Sequence, residues 1–285
     1  MYNPIPYSDE YAKFCRLRYA TRRELFENLP IFFHENNGIK TAELPFSNYY
    51  LELNKSIDAS KLSKKLFDRF HVDVVKMNLL NHLGPSTFVA LLLDLSGYTN
   101  TNDLLVGGVT LRKRNQIKLA YEQGYTTKII SHKLLDEFYQ LYVTHHRQRG
   151  YLVREITEIE NIVKAFGTNA FILGAYREDT LISAILFVVN GPYLWMIINA
   201  SDYEGQHAQM NNYMYWEVIR YAFAHDIKMV DFGGTPLADA GNIQFKRGFG
   251  VTAVPIYSGL FFLNFKIRIQ YWLGRKWWHL KLRFR

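Results

Sequence analysis

TLISAILFVVNGPYLWMIINAS, residues 180–201, decides how the rest of the chain is read. It holds 22 residues without a charged side chain, long enough for a helix to cross a bilayer. Its centre argues for a different structure. Asn190-Gly191-Pro192 separates ISAILFVV from YLWMIINAS, and Asn-Gly between β-branched and aromatic runs signals a hairpin. The stretch therefore predicts two adjacent buried strands, with Pro192 lengthening the turn. Once it is assigned to a sheet, no spanning segment remains and the body is expected to be soluble.

Working outward, helix and strand patterns alternate. Residues 134–146 predict a helix with Leu134, Leu135, Phe138, Leu141 and Tyr142 on one face. A second helix is expected over 155–166, strands over 170–176, 181–189 and 193–199, and a long helix over 206–225. Met210, Tyr213, Met214, Val218, Tyr221 and Ala222 recur at helical spacing in that last segment and read as core. A strand over 228–232 ends at Gly233-Gly234, a short helix or turn covers 242–247, and a last strand covers 254–262. The first half predicts helices over 8–28 and 58–70, strands over 31–35, 40–45, 72–80 and 87–95, and another short helix within 98–111. Both halves mix short helices with strands, which predicts two α/β (α+β) units of similar size rather than one large sheet. The basic stretch LRKRNQIK, residues 111–118, is the expected join.

The chain has 285 residues, 48% hydrophobic and 21% charged. That is an ordinary globular balance and excludes disorder and collagen-like structure. One cysteine, Cys15, excludes an intramolecular disulfide and a cysteine-cluster metal site. The opening MYNPIPYSDEYAKF lacks a basic region followed by an apolar run, so no signal peptide is read and a cytoplasmic setting is expected. The net charge of +8 is not spread evenly. Residues 264–285 hold seven Lys/Arg and no Asp/Glu, leaving 27 basic and 26 acidic groups elsewhere. The body is nearly neutral and the tail is cationic, so the charge speaks for an anionic partner of the tail and not for DNA binding by the whole chain.

Four segments bear on chemistry. LRKRNQIKLAYEQGY (111–125) sets Arg112, Lys113, Arg114 and Lys118 at a helix start above Ile117 and Ala120. It is either a solvated face or an anion site for phosphate or carboxylate. In HHRQRGY (145–151), adjacent His145 and His146 diverge by about 100° on a helix and cannot readily share a metal; Arg147 and Arg149 can bind an anion. VDFGG (230–234) has the Asp-Phe-Gly of protein kinases without their glycine-rich loop or catalytic loop. Asp231 remains as a carboxylate at a strand end, either a proton acceptor or a turn cap. GNIQFKRGFG (241–250) is not a phosphate loop ending in Gly-Lys-Ser/Thr. It is a basic glycine loop with Phe245 and Phe249 as anchors beside Lys246 and Arg247.

Together RKRNQIKLAYEQGY, FYQLYVTHHRQRGY, YLWMIINAS, NNYMYWEVIRYAFAHD, MVDFGGTP and GNIQFKRGFG resemble, in order and spacing, the Fem-type peptidoglycan-bridge aminoacyltransferases and their GNAT-like relatives. The resemblance covers roughly residues 108–262, and the DFGG…FKRGFG pair is its sharpest part. It implies two tandem GNAT-like units, each a mixed central sheet flanked by helices: 1–110, a catalytic 111–263, and the basic Trp-rich tail 264–285. It implies transfer of an acyl or aminoacyl group to an amine of a cell-envelope precursor, with aminoacyl-tRNA or acyl-CoA as co-substrate and no bound cofactor or metal. The family's functional Phe-Lys pair maps onto Phe245 and Lys246, and Arg149 sits where relatives carry a basic residue. Lys246 is expected to stabilise the oxyanion, Asp231 to take the amine proton, and Arg114, Arg247, Gly248 and Phe249 to line the substrate.

The sequence departs from the family in two places. After the 193–199 strand it reads SDYEGQHAQMNN, without the Q/R-x-x-G-x-G/A signature of ordinary acyl-CoA enzymes, which tells against simple acetyl-CoA binding. The coiled-coil insertion of some relatives is also missing. An acyl-CoA-dependent N-acyltransferase of an amino sugar or small amine is the alternative reading. The tail interleaves Trp272, Trp277 and Trp278 with its cations, a composition suited to an anionic membrane interface, to tRNA phosphates or to packing on the body.

Overall fold

The computed structural model describes residues 5–19, 21–44, 51–52, 58–80, 86–130, 135–151, 153–202 and 209–283, and of these the backbone alone at 18–19, 51–52 and 275–283. The chain begins with α1 (Asp9–Tyr19), β1 (Arg22–Phe26), β2 (Leu29–Asn36), β3 (Ile39–Leu44), β4 (Leu51–Glu52), α2 (Ala59–Phe70), β5 (Val74–Leu80) and β6 (Ser86–Asp94). It continues through α3 (Thr101–Gly107), α4 (Leu111–Tyr121), β7 (Thr126–Ile130), α5 (Leu135–Gln148), α6 (Ile156–Phe166), β8 (Ala170–Arg177), β9 (Thr180–Asn190) and β10 (Tyr193–Ser201). It ends with α7 (Met210–Ala224), β11 (Met229–Pro236), α8 (Ala240–Arg247), β12 (Thr252–Phe262) and α9 (Phe265–Arg283). Contacts divide it into two compact units: Met1–Phe14 with Val89–Val254, and Cys15–Phe88 with Pro255–Arg285.

In the first unit the strands run in the order β6-β11-β10-β9-β8-β7. Ladders β10–β9, β9–β8 and β8–β7 are antiparallel, while β10–β11 is parallel. The apolar stretch is the expected hairpin. Asn190 pairs with Tyr193, so Gly191 and Pro192 alone make the turn, and Gly191 takes φ 53°. β9 is buried from Leu181 to Val188, which accounts for eight consecutive positions without a charge. Helix α7 is buried on nearly every side, and Met210, Tyr213, Met214, Val218 and Ala222 join the core with Leu194, Phe232 and Phe249. Residues 206–208 of the expected helix, like Leu134 and Pro45 in theirs, lie outside the described residues. The strand expected to stop at the glycine pair runs through it to Pro236.

In the second unit the order is β1-β2-β3-β5-β12, with β4 also on β5. β3–β5 is parallel; β1–β2, β2–β3 and β5–β12 are antiparallel. Asp58 starts α2 by accepting from the backbone N–H of Ser60 and Lys61, both at 3.0 Å. The helix buries Leu62 and Leu66. The helix expected over 8–28 is corrected here: it ends at Tyr19, and Arg22–Phe26 is a strand. Glu27 and Asn28 take φ 50° and 64°, and the tight turn they form lays Phe26 against Leu29. Cross-strand pairing outweighs the modest helical preference of RRELF. The tail, whose alternation was compatible with a strand, is the helix α9, held on this unit by the Tyr271 ring 5.4 Å from that of Phe262.

Candidate active site

The site is built where β10 and β11 part. Their parallel ladder joins Tyr193–Trp195 to Met229–Asp231. Beyond it β10 continues to Ser201 along β9, with a register irregularity between Met196 and Ile198, and β11 continues to Pro236. Asp231 stands at the parting point and is fully buried. Its Oδ2 accepts from the Tyr193 hydroxyl at 2.9 Å and its Oδ1 from the Gly233 N–H at 2.8 Å.

Helix α8 brings Lys246 to the same place. Asp239 starts the helix by accepting from the Asn242 N–H at 3.2 Å, and Ile243 and Lys246, three residues apart, face inward. Lys246 Nζ donates to the Phe232 carbonyl at 2.7 Å and to Thr235 Oγ1 at 3.1 Å. An ammonium has three N–H donors, so one remains beyond these two among the described residues. Burial pushes Lys246 down to about 8, against the opposing charges of Asp231 and Asp239.

The loop after α8 is fastened to the start of α4. The Thr110 N–H donates to the Gly248 carbonyl at 3.0 Å. Gly250 takes φ 86°, and a Cβ there would meet the Gly108 carbonyl oxygen at 2.9 Å, so backbone approaches backbone without room for a side chain. A Cβ on Gly248 would meet Lys113 Cε at 2.7 Å. The glycine loop is thus wrapped around a second buried amine.

Lys113 Nζ donates to Asn212 Oδ1 at 2.6 Å and lies 3.8 Å from the Phe245 ring centroid and 4.8 Å from that of Phe249. Burial, and then the neighbouring Arg112, pushes this ammonium down to about 8 as well. Rings on two sides stabilise a desolvated cation by about 2 kcal/mol. The Tyr215 ring closes the cluster, stacked on Phe249 at 5.7 Å and edge-on to Phe245 and Phe232 at 5.3 Å each. Lys113 was legible as one of four cations above Ile117 and Ala120. Its own place on that buried stripe, four and seven residues before Ile117 and Ala120, is the signal that separates it from Arg112 and Lys118.

Asp231, Phe245, Lys246, Gly248 and Phe249 therefore come together, and Lys113, Asn212 and Tyr215 join them. Arg114 is half-buried on α4, with its Nε lacking a partner among the described residues. Arg247 is exposed on α8, and Arg149 is exposed after the end of α5. His145 and His146 are held in the fold. His145 Nδ1 lies 2.8 Å from the Ser201 carbonyl, and the His146 ring lies 4.1 Å from that of Tyr142. Burial keeps both imidazoles below their usual range, His146 at about 4. Among the described residues no group of three His, Cys, Asp or Glu is placed to hold a metal, and no helix is long and apolar enough to cross a membrane.

Residues 111–247 match the family model described as an acetyltransferase (GNAT) domain. No curated protein sequence matches the chain. Among solved structures, FemX superposes with a TM-score of 0.69 at 15% identity, over 93% of this chain and 92% of that one. The C-terminal DUF2156 domain of a protein assigned as a lysylphosphatidylglycerol synthetase, from Agrobacterium fabrum, superposes with 0.60 at 12%, over 90% and 88%. A tandem GNAT protein from the clavulanic acid biosynthesis pathway gives 0.51 at 12%, over 81% and 78%. At such identities the likeness is one of fold.

Proposed function

We propose that the chain, whose residues 111–247 match an acetyltransferase (GNAT) domain, is an acyltransferase that forms an amide by moving an acyl or aminoacyl group onto an amine of a cell-envelope precursor. The observation that carries this reading is Lys246: a buried ammonium at the parting of β10 and β11, with a third N–H beyond its two bonded ones. In the reaction the neutral amine nitrogen attacks the carbonyl carbon of the activated donor. A C–N bond forms, the C–O bond of an aminoacyl ester breaks, and the departing ester oxygen takes up, by way of the acceptor, the proton that the amine gives up. Lys246 donates its third N–H to the developing oxyanion, a contact whose loss costs about two to three orders of magnitude in rate. Phe245 and Phe249 hold α8 against Tyr215 and Lys113. Arg114, Arg149 and Arg247 are proposed to meet the anionic parts of the substrates.

The amine proton must also leave. Asp231 is the proposed acceptor. Its buried carboxylate also favours the charged form of Lys246. The cationic segment 264–285 would hold an anionic partner, either a lipid surface on the inner face of the membrane or charged tRNA. The second reading, an acyl-CoA donor with a thioester C–S bond breaking, is favoured by the match to an acetyltransferase domain. Titration of the purified chain with a non-hydrolysable acyl-CoA analogue and with charged tRNA decides between donors. Binding of tRNA alone supports the aminoacyl reading, binding of the CoA analogue alone supports the second, and binding of neither removes both.

A further inference from the structure

The helix α9 carries an exposed apolar stripe on the side away from the contact of Tyr271 with Phe262. Phe265, Ile269, Trp272 and Leu273 are 72%, 44%, 44% and 62% exposed. At 100° per residue these four positions fall within an arc of about 100°. Ile267 and Tyr271, on the opposite side, are half-buried, and Tyr271 meets Phe262. Exposed Lys266 and Arg268 border the stripe on its two flanks. The whole segment 264–285 carries seven Lys/Arg and no acidic residue.

We infer that α9 lies in the surface of an anionic lipid bilayer, with Phe265, Ile269, Trp272 and Leu273 entering the boundary between headgroups and acyl chains and the flanking cations on the lipid phosphates. Two features of the helix select this partner. Phosphates of RNA would be met by the cations alone and give the exposed apolar arc nothing to bury against. A second copy of the helix would oppose cations with cations. Only a surface that is anionic outside and apolar beneath answers both features. The inference names the partner of 264–285 in the reading above. Its test involves no transfer assay, so its failure leaves the proposed chemistry standing.

The test is co-sedimentation of the full chain with vesicles of phosphatidylcholine, alone or with about a third phosphatidylglycerol. The full chain is expected to bind the anionic vesicles and to be only partly released by salt. Phe265→Ser with Leu273→Ser should lower binding at least about tenfold even at low salt, since two exposed apolar side chains lose their burial. Lys266→Gln with Arg268→Gln should lower binding severalfold and flatten its salt dependence. Ile269→Gln, a milder change, should weaken binding while leaving the melting temperature unchanged. Equal sedimentation of the full chain and the apolar variants overturns the inference. So does binding of tRNA without binding of vesicles. So does a dimer that the apolar variants convert to monomer while vesicles bind neither form.

Discussion

Replacing Lys246 by methionine keeps the stem and removes the ammonium, and the structure sets two opposing consequences for stability. The bonds to the Phe232 carbonyl at 2.7 Å and to Thr235 Oγ1 at 3.1 Å disappear. Leaving those two buried acceptors without their donor costs about 1–3 kcal/mol apiece, about 2–6 kcal/mol together. Against this, an ammonium held near 8 in the fold and near 10.5 in the unfolded chain costs the fold roughly 3 kcal/mol below pH 8. The two effects largely offset, so at pH 7 the variant should lie within about 3 kcal/mol of the wild type. The sign of the pH dependence is firm. Between pH 8 and 10.5 the unfolded chain holds more protons at this position than the folded one. Wild-type stability from this group therefore rises with pH, and the variant has no such gain. Relative to wild type the variant should lose roughly 3 kcal/mol between pH 7 and pH 10.5. Urea unfolding of both proteins at the two pH values measures it. Parallel pH dependences would refute the buried cation, and a loss well above 4 kcal/mol at pH 7 would make Lys246 a structural residue first.

Asp231→Asn removes both the proposed proton acceptor and a charge that favours the Lys246 ammonium, so transfer should fall about a hundredfold or more and the pH above which the remaining rate declines should move below 8; a pH–rate profile and activity like wild type would leave Asp231 a turn cap. Gly250→Ala should destabilise the chain by about 1–3 kcal/mol in thermal melts, because φ is 86° and Gly108 O stands 2.9 Å from the new Cβ. Lys113→Met removes the bond to Asn212 and the charge between two rings, and should lower transfer about tenfold through a displaced α8. Lys113→Arg, too long for the space Gly248 leaves, should not rescue it.

The parts of the fold that could be read were those with local causes. The 180–201 hairpin follows from Asn190-Gly191, and the α7 core from apolar residues at helical spacing. Phe245 and Lys246 on α8, and Gly248 and Phe249 just after it, come from the one stretch 241–250. The strand β1 was hidden because RRELF favours a helix and only pairing with β2 makes it extended. β7 was hidden because TTKII is mostly exposed and shows no clear alternation. Composition alone leaves Lys113 among four like charges, and only its spacing of four and seven residues from Ile117 and Ala120 marks it as the one that turns inward. The discontinuity of both units has no local signature, because nothing within a strand's own sequence names its neighbours in the sheet.

The most direct test is the pH–rate profile of amide formation by wild type and Lys246→Met, with the donor that binds and an amine acceptor. The wild-type rate is expected to fall above pH about 8 as the Lys246 ammonium is lost, and the variant to be reduced at least about a hundredfold without that limb. A wild-type rate that keeps rising through pH 10, or a variant as active as wild type, would contradict it.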